Sequence, residues 1–593
     1  MTSKYQFFLN ILLAAALTSG CGGLGSGAKI SGAGGGSATG AAGDSATGMA
    51  GSSGAAGDSA TGTAGSSGAA GDSSSAGAGG SSATGAGGSS AAGAGGSSAA
   101  GAAGSSATGA AGSSAVGINA GAGPWGTPVA GGPTASGTMV TGTVTVNRGT
   151  TIGTVGKDFL GFSFEKTHLT NSTLNGANAP MIALFKLIGT PVIRIGANDV
   201  ELCSWVPAKP SAGGGPPYGK QIGTAMVDGL NDFLNATGSR VIYGLNFSLN
   251  NPTNDAAEAT YAQMKLGANL YGFEIGNELD KYGSWASQRQ QYESIATSVI
   301  NAVPTARLIG PASTGGGATS LSTPWAQNES AKFPNKVVLL TQHYYLGGAG
   351  STTATVTALQ TVQGDIPTTS ATMNTAATSN HIPDGYRFGE ANSFFSHGQP
   401  GVSDSLVAGL WSLDLMFVIA GHGASGINFH GGETGMDGTR PFYYEPIMES
   451  NGVVQAVQPV YHGMLLFYLA GQGHVLQTAV STTNPNFTAY ALDYQADGST
   501  SVVLNNKSAT TGVQVTVNVG TAVTSASAIY LLGDLQAGAP ISLTASADSV
   551  TLAGARVSAQ GKWARTAPFT QTTAGNTVSV FVPPASAALV RVK

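Results

Sequence analysis

The sequence predicts an α/β fold, a (β/α)8 barrel followed by a β-sandwich, with a disordered linker in front. Three observations carry this expectation. From Asp158 onward, short apolar runs alternate with longer helix-like segments eight times, the pattern of a closed parallel barrel. From about residue 480 the texture changes to short β-rich runs separated by Gly, Asn and Asp turns, which reads as a sandwich. Residues 22 to about 122 are Gly, Ala, Ser and Thr with almost nothing else, so they carry no bulky apolar surface to pack.

The first twenty residues read as a secretory signal, with Lys4 near the start, an apolar run from Phe7 to Leu17 and then small residues. That run is too short for a stable membrane span. It ends in Leu17-Thr18-Ser19-Gly20-Cys21, which resembles a bacterial lipobox and marks Cys21 for lipidation. Thr18 stands where leucine is usual, so cleavage by the ordinary signal peptidase is the alternative. Within the linker, Asp44, Asp58 and Asp72 recur fourteen residues apart. A repeat without large side chains has nothing to stack, so the expectation is a flexible tether with a reach of roughly 55 Å. The expected organisation is therefore a signal and lipobox (1–21), a linker (22–125), a pre-barrel strand segment (126–154), a catalytic barrel (155–475) and a sandwich (476–593). The alternating "GTMVTGTVTVNRG" at 137–149 is expected to add a strand to the sandwich.

Composition narrows the function. The net charge is −5 and only 9% of residues are charged. Lys and Arg are scattered, which argues against a nucleic-acid partner. The only other cysteine, Cys203, has no partner for a structural disulfide and reads as a small buried residue. Membrane contact is expected only through the lipid at Cys21.

The eight barrel runs are "DFLGFSFE" (158–165), "PVIRIG" (191–196), "RVIYGLNF" (240–247), "YGFEIGNE" (271–278), "ARLIGPAS" (306–313), "VVLLTQHYY" (337–345), "YRFGEAN" (386–392) and "GINFHGG" (426–432). Helices are expected over 180–188, 225–234, 261–266, 285–302 and 403–420. The first opens on Pro180, which suits a first helical position because its missing N–H would be unpaired there anyway.

In such a barrel the C-terminal strand ends form the active site. Glu278 ends the fourth run and Glu390 the seventh, so closure brings two carboxylates to opposite sides of one mouth. That pairing suits glycosidic cleavage, in which one carboxyl protonates the leaving oxygen and the other attacks the sugar. Such a mechanism requires the acid to hold a raised pKa while its partner stays ionised.

These motifs resemble clan A glycosidases, and more closely glycoside hydrolase family 79, which contains β-glucuronidases and heparanases. "EIGNELD" resembles the acid/base segment, and "GEANSFFSHGQPGVSDSLVAGLWSLD" (389–414) the nucleophile strand with its following loop and helix. "QHYYLGG" (342–348) resembles the sixth strand and "VIRIGAN" (192–198) the second. The resemblance implies Glu278 as general acid/base, Glu390 as nucleophile and Asn277 as the group bonded to the sugar 2-hydroxyl. It implies Glu165 and Asn198 for the other hydroxyls, and Tyr345 in preference to Tyr344 as the phenol that fixes the nucleophile. Recognition of the substrate carboxylate falls to the eighth strand, through the backbone at Gly431 and Gly432 and the phenol of Tyr443 or Tyr444. An insertion separates these two groups, and Arg440 within it is a further candidate.

The resemblance thus implies a retaining β-glucuronidase that needs no cofactor or metal, with another clan A specificity as the alternative. Sparse charge favours removal of a terminal sugar over endo cleavage of sulfated chains. "GGPPYGKQ" (214–221) imitates a phosphate loop, but Gln221 stands where Ser or Thr would bind magnesium. His343, His422, His430 and His462 lack metal-ligand spacing, and His430 is expected to line the sugar site or pack under it. The rival class is a non-catalytic sugar-binding protein on the same scaffold, against which stand two opposed carboxylates of no use to a binder.

Overall fold

A computed structural model describes residues 126–135, 137–208, 221–315, 321–361, 364–431, 443–533 and 542–593. Cys21, Gly432 and Arg440 lie outside the described residues, as do the signal, the linker and the phosphate-loop imitation up to Lys220.

Eight parallel strands close into a barrel. They are β1 (Gly161–Glu165), β2 (Val192–Gly196), β3 (Val241–Leu245), β4 (Leu270–Ile275), β5 (Leu308–Ser313), β6 (Val337–Gly348), β7 (Tyr386–Phe395) and β8 (Gly426–His430). Neighbours pair in chain order and β8 returns to β1 through Phe429 opposite Phe162. All eight strands are buried on both faces throughout their first five residues, which explains why they read as continuous apolar runs rather than alternating ones. The expected fold class is therefore found.

The expected helices are present, Trp285–Ala302 with the ends expected and the others with shifted ends. The helix predicted at 261–266 begins nine residues earlier, at Pro252–Leu266, with the Asn251 side chain accepting from Asn254 N–H as its cap. Helices Ser322–Lys332, Ile366–Ser379 and Pro459–Ala470 had no sequence expectation. "IPTTSATMNTAATS" is rich in Thr and Ser, which favour turns locally, and "PVYHGMLLFYLA" is buried nearly all round, so it shows no polar stripe.

The β-rich part is one continuous sheet of eleven strands. It curls over so that Val144, Val502, Leu504, Val515, Val580 and Val590, from five of its strands, share a single core. Its two layers are thus two flanks of one sheet rather than separate sheets. The sheet begins at Gly473–Thr482, slightly before the expected change of texture. Strand Thr138–Val155 lies inside it, antiparallel to Gly473–Thr482 and parallel to Thr511–Asn518.

Alternation assigns the faces. Val502 and Leu504 point into the curled core, whereas Val503 joins the core beneath the barrel helices. Sheet and barrel also meet at Asp414, fully buried on helix Leu406–Gly421. It accepts from Thr488 Oγ1 at 2.6 Å and Asn505 Nδ2 at 2.8 Å, and pairs with the buried Lys507 ammonium.

Candidate active site

Strand β4 is extended as far as Ile275, and side chains of successive strand residues face opposite ways. To turn both Asn277 and Glu278 into the mouth, the chain must leave strand geometry. It does so through Gly276 at φ 80° and Glu278 at φ 49°, ψ 55°. A Cβ on Gly276 would fall 2.6 Å from Leu279 Cδ2 and 2.8 Å from Phe247 Cβ, so glycine is required. Left-handed backbone at a glutamate costs about 1–2 kcal/mol. Glu278 is held there by its N–H on Ala312 O at 2.7 Å and by Lys281 N–H on its own carbonyl at 2.8 Å.

Glu390 reaches the same mouth through a bulge in β7. Phe388 pairs with Gln342 and Glu390 with His343, so Gly389 is the extra residue. Without it, Glu390 would share the outward face of Tyr386 and Phe388, whose rings pack together. With it, Glu390 points inward. Tyr344 on β6 faces out against Phe388, and Tyr345 faces in, its phenol donating to Glu390 Oε1 at 2.8 Å. A carboxylate oxygen of Glu278, one of Glu390 and a ring nitrogen of His343 all lie within 4.8 Å of one another.

The remaining expected residues gather around this pair. Asn277 Oδ1 accepts from Arg194 Nη2 at 2.8 Å, and Asn277 Nδ2 lies 3.4 Å from Asn198 Oδ1. Glu165 is buried and accepts from Asp199 N–H at 2.6 Å, with His430 Nε2 3.8 Å from its other oxygen. His430 Nδ1 is also 3.9 Å from Glu390 Oε2, so this histidine lies between the two acids. The buried Tyr444 ring lies 6.0 Å from those of Tyr345 and His430. Its carbonyl is tied to β7 by Asn392 Nδ2 at 2.9 Å. Tyr443 is partly exposed, its backbone N–H bonded to His397 O at 2.6 Å.

Four residues of this site carry no assignment from sequence. Arg194 is fully buried, with Nε on Glu274 at 2.5 Å, Nη1 on Glu390 at 2.9 Å and on Ser163 Oγ at 3.2 Å. An arginine inside the apolar run "VIRIG" is the signal that could have found it, since a charge in a doubly buried strand needs an acid nearby. His343 Nδ1 bonds Glu278 Oε1 at 3.1 Å and lies 3.9 Å from Glu390 Oε1. Glu201 accepts from the Asn277, Phe247 and Ser248 N–H groups at 2.8, 3.1 and 2.7 Å and fixes the turn after β4. Lys281 contacts Glu278 Oε2 directly. Nothing in the one-dimensional spacing marks Glu201 or Lys281.

The electrostatics follow from these contacts. Burial would raise the pKa of Glu390, but His430, His343, Arg194 and the Tyr345 phenol outweigh it and hold Glu390 well below the usual range. Burial lowers the pKa of His430 itself. Burial and the Asp199 and Glu390 charges raise the Glu165 pKa well above normal.

The expectation of a raised Glu278 pKa is overturned. Burial pushes it up, yet the His343 hydrogen bond, the His343 charge and the Lys281 ammonium together hold it below the ordinary value. Among the described residues, Glu278, His343 and Glu390 form the one group of side chains close enough to converge on a metal ion. Arg194 and Lys281 already bring positive charge to both carboxylates.

No family model matches the chain. A curated β-glucuronidase from Neurospora crassa is 24% identical over 328 residues, which span 47% of this chain and 56% of that protein. Among solved structures, a 4-O-α-L-rhamnosyl-β-D-glucuronidase from Fusarium oxysporum 12S superposes with a TM-score of 0.58 at 20% identity, covering 76% of this chain and 99% of that one. A family 51 arabinofuranosidase from Xanthomonas axonopodis pv. citri gives 0.54 at 16% identity, covering 77% and 100%. The two structural likenesses share a fold with this chain: a closed parallel barrel beside a β-rich domain, the architecture on which its paired carboxylates are mounted.

Proposed function

We propose that this protein is a retaining, exo-acting β-glucuronidase. One observation carries the reading: the Glu278 and Glu390 carboxylates, from β4 and β7, approach within 4.8 Å. Retaining glycosidases need about 5–5.5 Å between carboxyls, whereas inverting ones need roughly 6.5–9.5 Å to admit a water. Glu390, ionised and oriented by Tyr345 and Arg194, attacks carbon 1 while Glu278 gives its proton to the leaving oxygen. Water then enters with Glu278 as base and frees the sugar. Asn277, clamped by Arg194, meets the 2-hydroxyl, and Glu165, Asn198 and Tyr444 bind the rest of the sugar. The glucuronidase names of the Neurospora and Fusarium proteins support a uronate at this subsite.

A panel of chromogenic aryl β-glucuronides, glucosides, xylosides and arabinosides tests the assignment, with the anomer of the first product read by NMR. Preferential glucuronide turnover with retained configuration is expected. Hydrolysis of another glycoside alone would reassign the sugar, inversion would remove the mechanism, and binding without hydrolysis would favour a sugar receptor. An oligosaccharide cut internally would replace exo with endo action. We further propose export and anchoring through Cys21, tested by palmitate labelling that Cys21→Ser abolishes.

A further inference from the structure

Resting on the glycosidase reading above, the next inference concerns the leaving group. Lys281 lies in the turn Leu279–Tyr282 that follows Glu278. Its ammonium contacts Glu278 Oε2 and lies 3.2 Å from Asn198 Oδ1. The lysine side chain is 46% exposed and that of Glu278 12%, so the cation covers the outward side of the acid, where an aglycone must approach.

The other charged groups around Glu278 are accounted for. His343 bonds its Oε1, Glu390 is held by Arg194 and Tyr345, and Asp280 accepts from the Thr314 N–H at 3.0 and 3.1 Å. Among the described residues, Lys281 is therefore the cation at this rim that can change partner without leaving a buried charge unpaired.

A general acid in contact with a lysine is in the wrong state for the first chemical step, because the ammonium stabilises the carboxylate that has no proton to give. An anion on the leaving group offers the lysine another partner. We propose that Lys281 recognises a carboxylate or sulfate carried by the aglycone, and that moving its ammonium from Glu278 to that anion frees Glu278 to serve as proton donor. As the ammonium leaves, Glu278 takes one proton from solvent. That proton passes to the glycosidic oxygen while the bond from Glu390 to carbon 1 forms and the bond from carbon 1 to oxygen breaks. The substrate class is thus a β-glucuronide of an acidic alcohol or sugar.

The test compares wild type, Lys281→Met and Lys281→Arg on aryl β-glucuronides matched in leaving-group acidity. The aryl groups carry a neutral, a carboxylate or a sulfate substituent, and kcat/KM is followed against pH. Wild type is expected to favour the anionic aglycones by about tenfold, the effect of one charge-assisted hydrogen bond at a half-exposed site. Lys281→Met should lose that preference, and Lys281→Arg should keep it. On the neutral aglycone, the basic limb of Lys281→Met should move to higher pH, because Glu278 without its cation holds its proton longer.

Preference for only one of the two anions would name the source, carboxylate or sulfate. Equal losses on neutral and anionic aglycones with an unmoved basic limb would overturn the proposal while leaving the glucuronidase reading standing. Wild type inert toward every glycoside would instead remove that reading, and this inference with it.

Discussion

Replacing Arg194 with methionine tests the site without relying on any substrate. The methionine fills much of the same space but removes hydrogen bonds to Glu274, Glu390, Asn277 and Ser163. Both glutamates are buried, so each loses a counter-charge it cannot replace from water. Breaking a buried ion pair by removing one partner costs about 3–5 kcal/mol. With an unfolding entropy of roughly 2 cal/mol/K per residue, a folded part of this size should lose about 3–5 °C in Tm at pH 7.

The loss should depend on pH. Glu390 has a depressed pKa in the folded protein, so its contribution is present above the unfolded carboxyl value near 4.3 and is lost as pH falls through the folded value. Without Arg194, Glu390 loses one of the charges that hold its pKa down, takes up its proton at higher pH and the penalty relaxes. The Tm gap between wild type and Arg194→Met should therefore narrow between pH 7 and pH 4.5 in scanning calorimetry. A gap below 1 °C at pH 7, or one that does not change with pH, would refute the claim that this guanidinium neutralises buried acids.

Other expectations concern the reaction and the domain contact. Tyr345→Phe removes the phenol from Glu390, so the acid limb of kcat/KM should move to higher pH; an unmoved limb would detach this tyrosine from the titration of Glu390. Glu278→Gln should lower kcat/KM on poor leaving groups by about 10²–10⁴, yet spare bond cleavage for a dinitrophenyl glucuronide in a pre-steady-state burst, and equal losses on both would deny it the acid role. Glu390→Gln should abolish turnover of every substrate with its far-UV spectrum retained. Asp414→Ala should lower Tm by stranding buried Lys507, at a cost of about 3–5 kcal/mol, while kcat/KM at 25 °C stays within twofold of wild type.

The barrel was legible because strands buried on two faces leave long apolar runs, and Gly, Asn and Pro mark their ends. Glu278 and Glu390 were legible because they stop such runs with an acid. Yet their inward orientation depends on Gly276 and on the Gly389 bulge, backbone events that alternation alone would have misread. Arg194 was visible as an anomaly in "VIRIG", but its partners come from β1, β4 and β7, and no local pattern connects those distances. Lys281 shows the opposite limit. Three residues from Glu278, it looks like any solvated turn lysine, and only the left-handed turn at Glu278 folds it back onto the acid. His343, and after it Lys281, hold the Glu278 pKa down, and the sequence marks neither as a partner of that acid.

Strand Thr138–Val155 carries a consequence for biogenesis. It emerges early from the ribosome, but its two partners lie more than three hundred residues downstream. Until they arrive, its alternating valines have no mate on either edge, and the sheet cannot bridge its two flanks. Deleting this strand would split the sheet between Gly473–Thr482 and Thr511–Asn518 rather than trim a tail. Among the strands described, the first to be made is thus among the last to be locked in, and the nascent chain must carry it unpaired until more than three hundred further residues have been added.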